Sequence, residues 1–167
     1  MYSRILVPVD GSDASSGALN EAVHLAKEQG GELRLLHIVK APMLDYGFSA
    51  DDSSRQDIIA ALSKIGKGIL AKAEATVREQ GLAPECLLTE SVAGSAAAVI
   101  LDQARQWPAD LIVMGSHPRG GPRAVGSDTA EVLSGSPIPV LLVRGIAGLA
   151  EHGALDYASA SPLTAAV

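Results

Sequence analysis

Apolar positions along the chain fall into two alternating patterns. The first is the short, continuous run: Ile5-Leu6-Val7-Pro8-Val9, Leu33 to Val39, Cys86-Leu87-Leu88-Thr89, Leu111 to Met114, and Pro139 to Val143. Runs of this length without polar alternation predict parallel strands covered on both faces. The Cys86 run is the weakest, and its polar flanks, Glu85 and Glu90, suit a sheet edge. The second pattern is helical and fills the gaps. After the turn Asp10-Gly11-Ser12-Asp13, with Ser12 or Asp13 as N-cap, a helix is predicted to about Gln29. It carries Ala18, Ala22, Leu25 and Ala26 on one face, with Leu19 and Val23 flanking, and Gly30-Gly31 stops it. Ile58, Leu62, Ile65, Ile69, Ala73 and Val77 mark a second helix to about Gln80, closed by Gly81. Inside it Gly66 and Gly68 each cost about 1 kcal/mol relative to Ala, for close packing on the sheet or for local flexibility. Val92-Ala93-Gly94-Ser95 turns into a third helix with Ala97, Ile100, Leu101 and Ala104, ending before Trp107-Pro108. A fourth runs from Ser127 to about Leu133. Strand and helix alternate throughout, which predicts a single α/β domain with an open, doubly wound parallel sheet of five strands and helices on both faces.

Two stretches break the pattern. Residues 40–55, with Pro42, Gly47 and Asp51-Asp52-Ser53-Ser54, read as a long exposed connection. Tyr46 and Phe48 lie within it, either to lid a site or to pin the loop down. Residues 145–167 are Ala-rich without apolar period, an appended tail that is loosely ordered or packed on a neighbour. The domain is therefore expected to span residues 1–144.

Composition narrows the function. At 167 residues and 47% hydrophobic content the chain suits one domain with a sizeable core, built from Val, Ile, Leu and Ala because aromatics are only 3%. A formal charge of −6 argues against non-specific nucleic-acid binding but says little about a small anion. One cysteine, Cys86, excludes an internal disulfide and a cysteine-based zinc site; it reads as a small, partly buried apolar residue. No apolar run approaches the roughly 20 residues of a membrane span, and the first strand begins within four residues of Met1, so no membrane insertion and a cytoplasmic location are expected.

Candidate chemistry collects at strand ends. In an open parallel sheet, ligands sit outside the carboxyl ends of the strands, where neighbouring connections leave in opposite directions. Three such segments are polar: Pro8-Val9-Asp10-Gly11-Ser12, Val92-Ala93-Gly94-Ser95, and Met114-Gly115-Ser116-His117. Asp10 is an acceptor for a ribose hydroxyl or base amine, a magnesium ligand, or an ordinary turn residue. Gly115 lets a ligand approach the backbone, and Gly126-Ser127 begins a helix whose free N–H groups suit an anion, with Arg119 and Arg123 nearby. The same residues also make a plain glycine turn, a serine N-cap and two solvated arginines. Neither a P-loop nor a G-x-G-x-x-G after the first strand is present, nor a G-x-S-x-G elbow. Of the four histidines, His24 on a helix and His37 in a strand read as structural, His152 lies in the tail, and His117 is placed at a strand end. No catalytic set is assigned; hydrolysis would need a base and a metal, for which Asp10 and His117 are candidates by location alone. A phosphoacceptor receiver needs an Asp after strand three and a Lys after strand five, where this chain has Thr89-Glu90 and Arg144-Gly145.

Taken together, ILVPVDGS, LRLLHIV, the V-x-G of Val92 to Gly94, DLIVMGSH and GSDTAEVLSGSPIPVLLV resemble the universal stress protein family over roughly residues 2–144. The resemblance implies strand order 3-2-1-4-5 in a Rossmann-like, adenine nucleotide alpha hydrolase-like fold. It implies a homodimer paired through the last strand, Pro139 to Val143, and in some members an ATP or AMP site. By position, Pro8, Val9 and Asp10 would line the nucleoside pocket and Val39 would lie beside the base. Met114 and Gly115 would lie against the ribose, and Gly126, Ser127 and Asp128 would form the phosphate-binding helix start. Beside these, Ser116 and His117 are candidate site residues, and Arg119 or Arg123 would close over the phosphates. Mg2+ would accompany ATP. Nucleotide-binding members look like G-x2-G-x9-G-[ST]; here the second glycine falls on Pro118, and the interval from Gly115 to Gly126 is two residues shorter. The expected function is a cytoplasmic sensor or regulator that binds an adenine nucleotide, with an unidentified regulatory protein partner. The alternative is the same fold without a nucleotide site, acting as a dimeric interaction module.

Overall fold

The computed structural model describes residues 1–40, 52–91, 95–116 and 126–144. Tyr46, Phe48, Val92 to Gly94, the loop from His117 to Val125, and the tail 145–167 lie outside the described residues. The elements run β1 (Arg4–Pro8), α1 (Asp13–Gln29), β2 (Glu32–Lys40), α2 (Asp52–Glu79), β3 (Glu85–Ser91), α3 (Ala96–Gln106), β4 (Leu111–Ser116), α4 (Ser127–Gly135) and β5 (Val140–Arg144). All strand pairs are parallel, in the order β3-β2-β1-β4-β5. The connections that leave β1 and β4 run in opposite senses, to β2 and to β5, so the switch point lies between β1 and β4.

The continuous apolar runs serve two cores because strand side chains alternate faces. Ile5, Val7, Leu33, Leu35, Leu111 and Val113 pack under α1 and α2. Leu6, Leu36, Ile112 and Met114 pack under α3 and α4, against Ala97, Ile100, Leu101 and Val132. Helix α1 begins at the Ser12 cap, whose hydroxyl accepts from the Ser15 N–H at 3.2 Å, and ends on Gly30 in the left-handed region. The expected face of α1 is rotated slightly: Leu19 and Val23 are fully enclosed, while Leu25 is half-buried.

Several boundaries differ from expectation. Helix α2 starts at Asp52, inside the stretch read as loop, since Asp and Ser are favoured at helix starts. Strand β3 extends to Glu85 and Ser91 because seven residues pair with β2, and an edge ladder tolerates polar side chains. Cys86 is exposed as a residue on this edge, with its sulfur partly covered. Burial around its sulfur and the neighbouring Glu74 carboxylate push its thiol pKa up. At the opposite end of the sheet from the strand termini that carry the polar segments, Arg34 forms a two-pronged ion pair with Glu85 at 2.8 Å and lies 4.7 Å from the Trp107 ring. That cluster ties β2, β3 and the end of α3 together.

Candidate functional site

The carboxyl ends of β1, β2 and β4 and the start of α4 enclose a cleft of about 420 Å3. The β1 end supplies Pro8, Val9 and Asp10, fixed from two directions. Val9 N–H donates to the Leu36 carbonyl at 2.8 Å, and the Val9 carbonyl lies 2.7 Å from Nδ1 of His37. A carbonyl only accepts, so Nδ1 carries a proton, and in the neutral ring Nε2 is the acceptor. His37 thus has the structural role read from its position, and it also lines the cleft. Asp10 is a turn residue as well as a wall residue: its Oδ1 accepts from the Ser12 N–H at 3.0 Å and the Ser12 hydroxyl at 2.5 Å. Gly11 takes φ +81°, which lets the chain leave the strand and enter α1 so abruptly.

From β4 come Met114 and Gly115. Gly115 was expected to admit a ligand to the backbone. Instead it admits α1: a Cβ there would sit 2.4 Å from the Ala14 carbonyl carbon and 2.7 Å from the Ser15 nitrogen. Gly126, Ser127 and Asp128 form the far wall. The N-cap of α4 is Gly126, not Ser127, and it brings no side-chain hydrogen bond to the first turn.

Of the residues singled out in the sequence, eight line the cleft together: Pro8, Val9, Asp10, Met114, Gly115, Gly126, Ser127 and Asp128. Val39 is buried and not in the lining; its neighbours Ile38 and Lys40 are. Ser116 is also buried away from it. His117 and Arg119 lie outside the described residues. Ser12, Ser15, His37, Lys40 and Thr129 line the cleft without having been picked out as site residues. The signal that would have found Lys40 is its place at the last position of a buried strand. Its Nζ lies 2.6 Å from Oδ2 of Asp128, joining the ends of β2 and α4.

Chemically, the cleft has an apolar floor of Leu36, Ile38, Ile100 and Met114 beneath a polar rim. That combination suits a flat heterocycle with a polar, charged appendage. Among the described residues no group of three or more His, Cys, Asp or Glu side chains is placed to hold a metal. Among them, too, no helix is long and apolar enough to cross a membrane.

The universal stress protein family model matches residues 1–144. Universal stress protein YxiE of Bacillus subtilis is 35% identical over 151 residues, which cover 86% of this chain and all of that protein. The solved structure of UspA from Lactobacillus plantarum superposes with a TM-score of 0.73 at 29% identity, covering 86% of this chain and 98% of that one. Two more distant structures share the fold and hold nucleotides. A universal stress protein in complex with cAMP has a TM-score of 0.64 at 23% identity, over 86% of this chain and 98% of that one. An Arabidopsis thaliana family member with AMP bound has a TM-score of 0.61 at 16% identity, over 86% and 91%. On the matched model, the close relatives and the strand order, this chain belongs to the universal stress protein family.

Proposed function

We infer that this chain binds an adenine nucleotide, AMP or ATP, in the cleft at the ends of β1, β2 and β4. It acts as a cytoplasmic sensor or regulator that works by occupancy, with at most slow ATP hydrolysis. The observation that carries the reading is the convergence of Asp10, Met114-Gly115 and the Gly126-Ser127 helix start on one cavity. Three segments far apart in sequence meet where an open parallel sheet takes its ligands. The adenosine half fits the apolar floor between Asp10 and Gly115. The phosphates fit the first turn of α4, where a glycine cap leaves backbone donors without a side-chain acceptor. Relatives of the same fold hold AMP and cAMP, which supports an adenine ligand. Mg2+ fits this cleft as a passenger on ATP: it favours phosphate oxygens, water and one or two carboxylates, and Asp10 and Asp128 are the carboxylates at hand.

Gly126 and Ser127 provide the test. Gly126 has φ −60°, and among the described residues a Cβ there would meet only Thr129 Oγ1, at 3.9 Å, an ordinary contact. Gly126→Val and Ser127→Ala are expected to weaken ATP binding roughly tenfold, the scale of a lost charge-assisted hydrogen bond, while melting temperatures hold. Unchanged affinity of both variants in calorimetric titration would overturn the assignment.

The second reading, a dimeric interaction module without a nucleotide site, is favoured by Pro118 and by the shortened interval between Gly115 and Gly126. Heating the purified protein and chromatographing the supernatant separates the two. Released AMP or ATP supports the first; no release and no titratable binding support the second.

A further inference from the structure

We propose that Lys40 is the phosphate-recognising side chain of this cleft, held by Asp128 until an anionic ligand displaces the carboxylate. The proposal rests on the adenine-nucleotide reading above and names the residue that tells a nucleotide from a nucleoside. Lys40 is the last residue of β2, and Asp128 is the second residue of α4. They are 88 positions apart, yet Nζ and Oδ2 meet at 2.6 Å. The strand end therefore delivers an ammonium to the first turn of α4, at the rim of the cavity that both residues line.

Charge in the cleft makes the pairing informative. Among the described lining residues, Lys40 is the one lysine or arginine, and Asp10 and Asp128 are the carboxylates. Lys40 meets Asp128, while Asp10 accepts from Ser12. The two side chains are 54% and 37% exposed. An ion pair so open to water contributes little to stability and separates readily. It is a poor brace and a good exchangeable contact. A phosphate arriving at the same turn carries more negative charge than a carboxylate and takes the ammonium. Asp128 is then left as a like-charged neighbour of the ligand.

On a metal-free phosphate such as that of AMP, the two members of the pair thus have opposite effects: Lys40 favours the ligand and Asp128 disfavours it. An ion pair that merely braced the fold would give both removals the same sign. Calorimetric titration of AMP and of adenosine into the full chain reads the difference, with thermal unfolding followed for each variant. Lys40→Met, which keeps the apolar stem, is expected to lower AMP affinity roughly tenfold or more and to leave adenosine within about twofold. Lys40→Arg is expected to restore the preference for AMP, and Asp128→Asn to raise AMP affinity severalfold. If Lys40→Met shifts AMP and adenosine equally, or if Lys40→Met and Asp128→Asn move AMP affinity in the same direction, the assignment of Lys40 fails while the nucleotide site stands. Wild-type protein that binds neither ligand overturns both. Should Lys40→Met not fold, Asp128→Asn decides alone, because it leaves Lys40 in place: a fall in AMP affinity, or no change, overturns the proposal.

Discussion

Gly115 shows how a glycine's place at a strand end is legible in sequence while what its missing Cβ makes room for is not. It is the next-to-last residue of β4 and lines the cleft, as its place before a polar loop suggests. Its missing Cβ, however, makes room for the backbone of Ala14 and Ser15 rather than for a ligand. Gly115→Ala is therefore expected to displace the first turn of α1, together with the Ser12 cap and the Asp10 turn. We expect a loss of about 2–3 kcal/mol in denaturant unfolding, the upper range for overpacking against an unyielding neighbour. A variant as stable as wild type would show that α1 can withdraw freely. The same distinction governs the other site residues. That Pro8, Asp10 and the Gly126–Asp128 segment meet at one cleft was legible because strand ends and helix starts announce themselves through turn chemistry. Val39 is enclosed and not in the lining, while Ile38 and Lys40, its neighbours in a strand of period two, reach the cleft. The places of His37 and Lys40 in the cleft lining were illegible because their partners, Val9 and Asp128, lie 28 and 88 positions away.

Elements were more legible than residues, because continuous apolar runs and helical spacing each repeat the same signal several times. The polar ends of elements carried less of it: β3 outran its apolar run, and α2 began within a stretch that composition marked as loop. The two glycines of α2 illustrate what periodicity leaves open. A Cβ on Gly66 would lie 2.6 Å from Cδ2 of His37 and 2.8 Å from Cδ1 of Leu88, so this glycine lets α2 settle onto β2 and β3. A Cβ on Gly68 would have no heavy atom of the described residues within 4 Å. Close packing explains the first, and nothing in the structure requires the second. Gly68→Ala is accordingly expected to stabilise the protein by about 0.5–1 kcal/mol through helix propensity and a less flexible unfolded chain. Gly66→Ala is expected to destabilise it by about 1–3 kcal/mol as His37 and Leu88 are pushed from their positions. Thermal unfolding of the two variants side by side checks both, and equal shifts would refute the packing argument. Because His37 holds the Val9 carbonyl, Gly66→Ala should also weaken AMP binding while Gly68→Ala should not.

At the scale of the whole molecule the sheet has two edges of unlike character. Strand β3 presents Glu85, exposed Cys86 and Glu90, a polar border that discourages further pairing. Strand β5 presents Val140-Leu141-Leu142-Val143, all half-buried and all apolar. Its inner side is committed: the Ile112 N–H donates to the Pro139 carbonyl at 3.1 Å, and Ile112 is in register with Val140. In a parallel ladder this phase turns the backbone groups of Pro139, Leu141 and Val143 toward β4 and those of Val140 and Leu142 outward. An apolar edge with outward donors and acceptors is covered most simply by its own copy across a two-fold axis, which supports a homodimer through this strand. Light scattering at micromolar concentration is expected to give twice the chain mass. Leu142→Pro removes one outward N–H and spares the β4 ladder, so it should yield a folded monomer. Leu141→Pro removes a ladder bond inside the sheet and should unfold the domain instead. Proline scanning thus reads the edge by phase, not by hydrophobicity alone. A wild-type monomer, or a Leu142→Pro variant that stays dimeric, would place the contact elsewhere and leave the apolar face of β5 to a different partner.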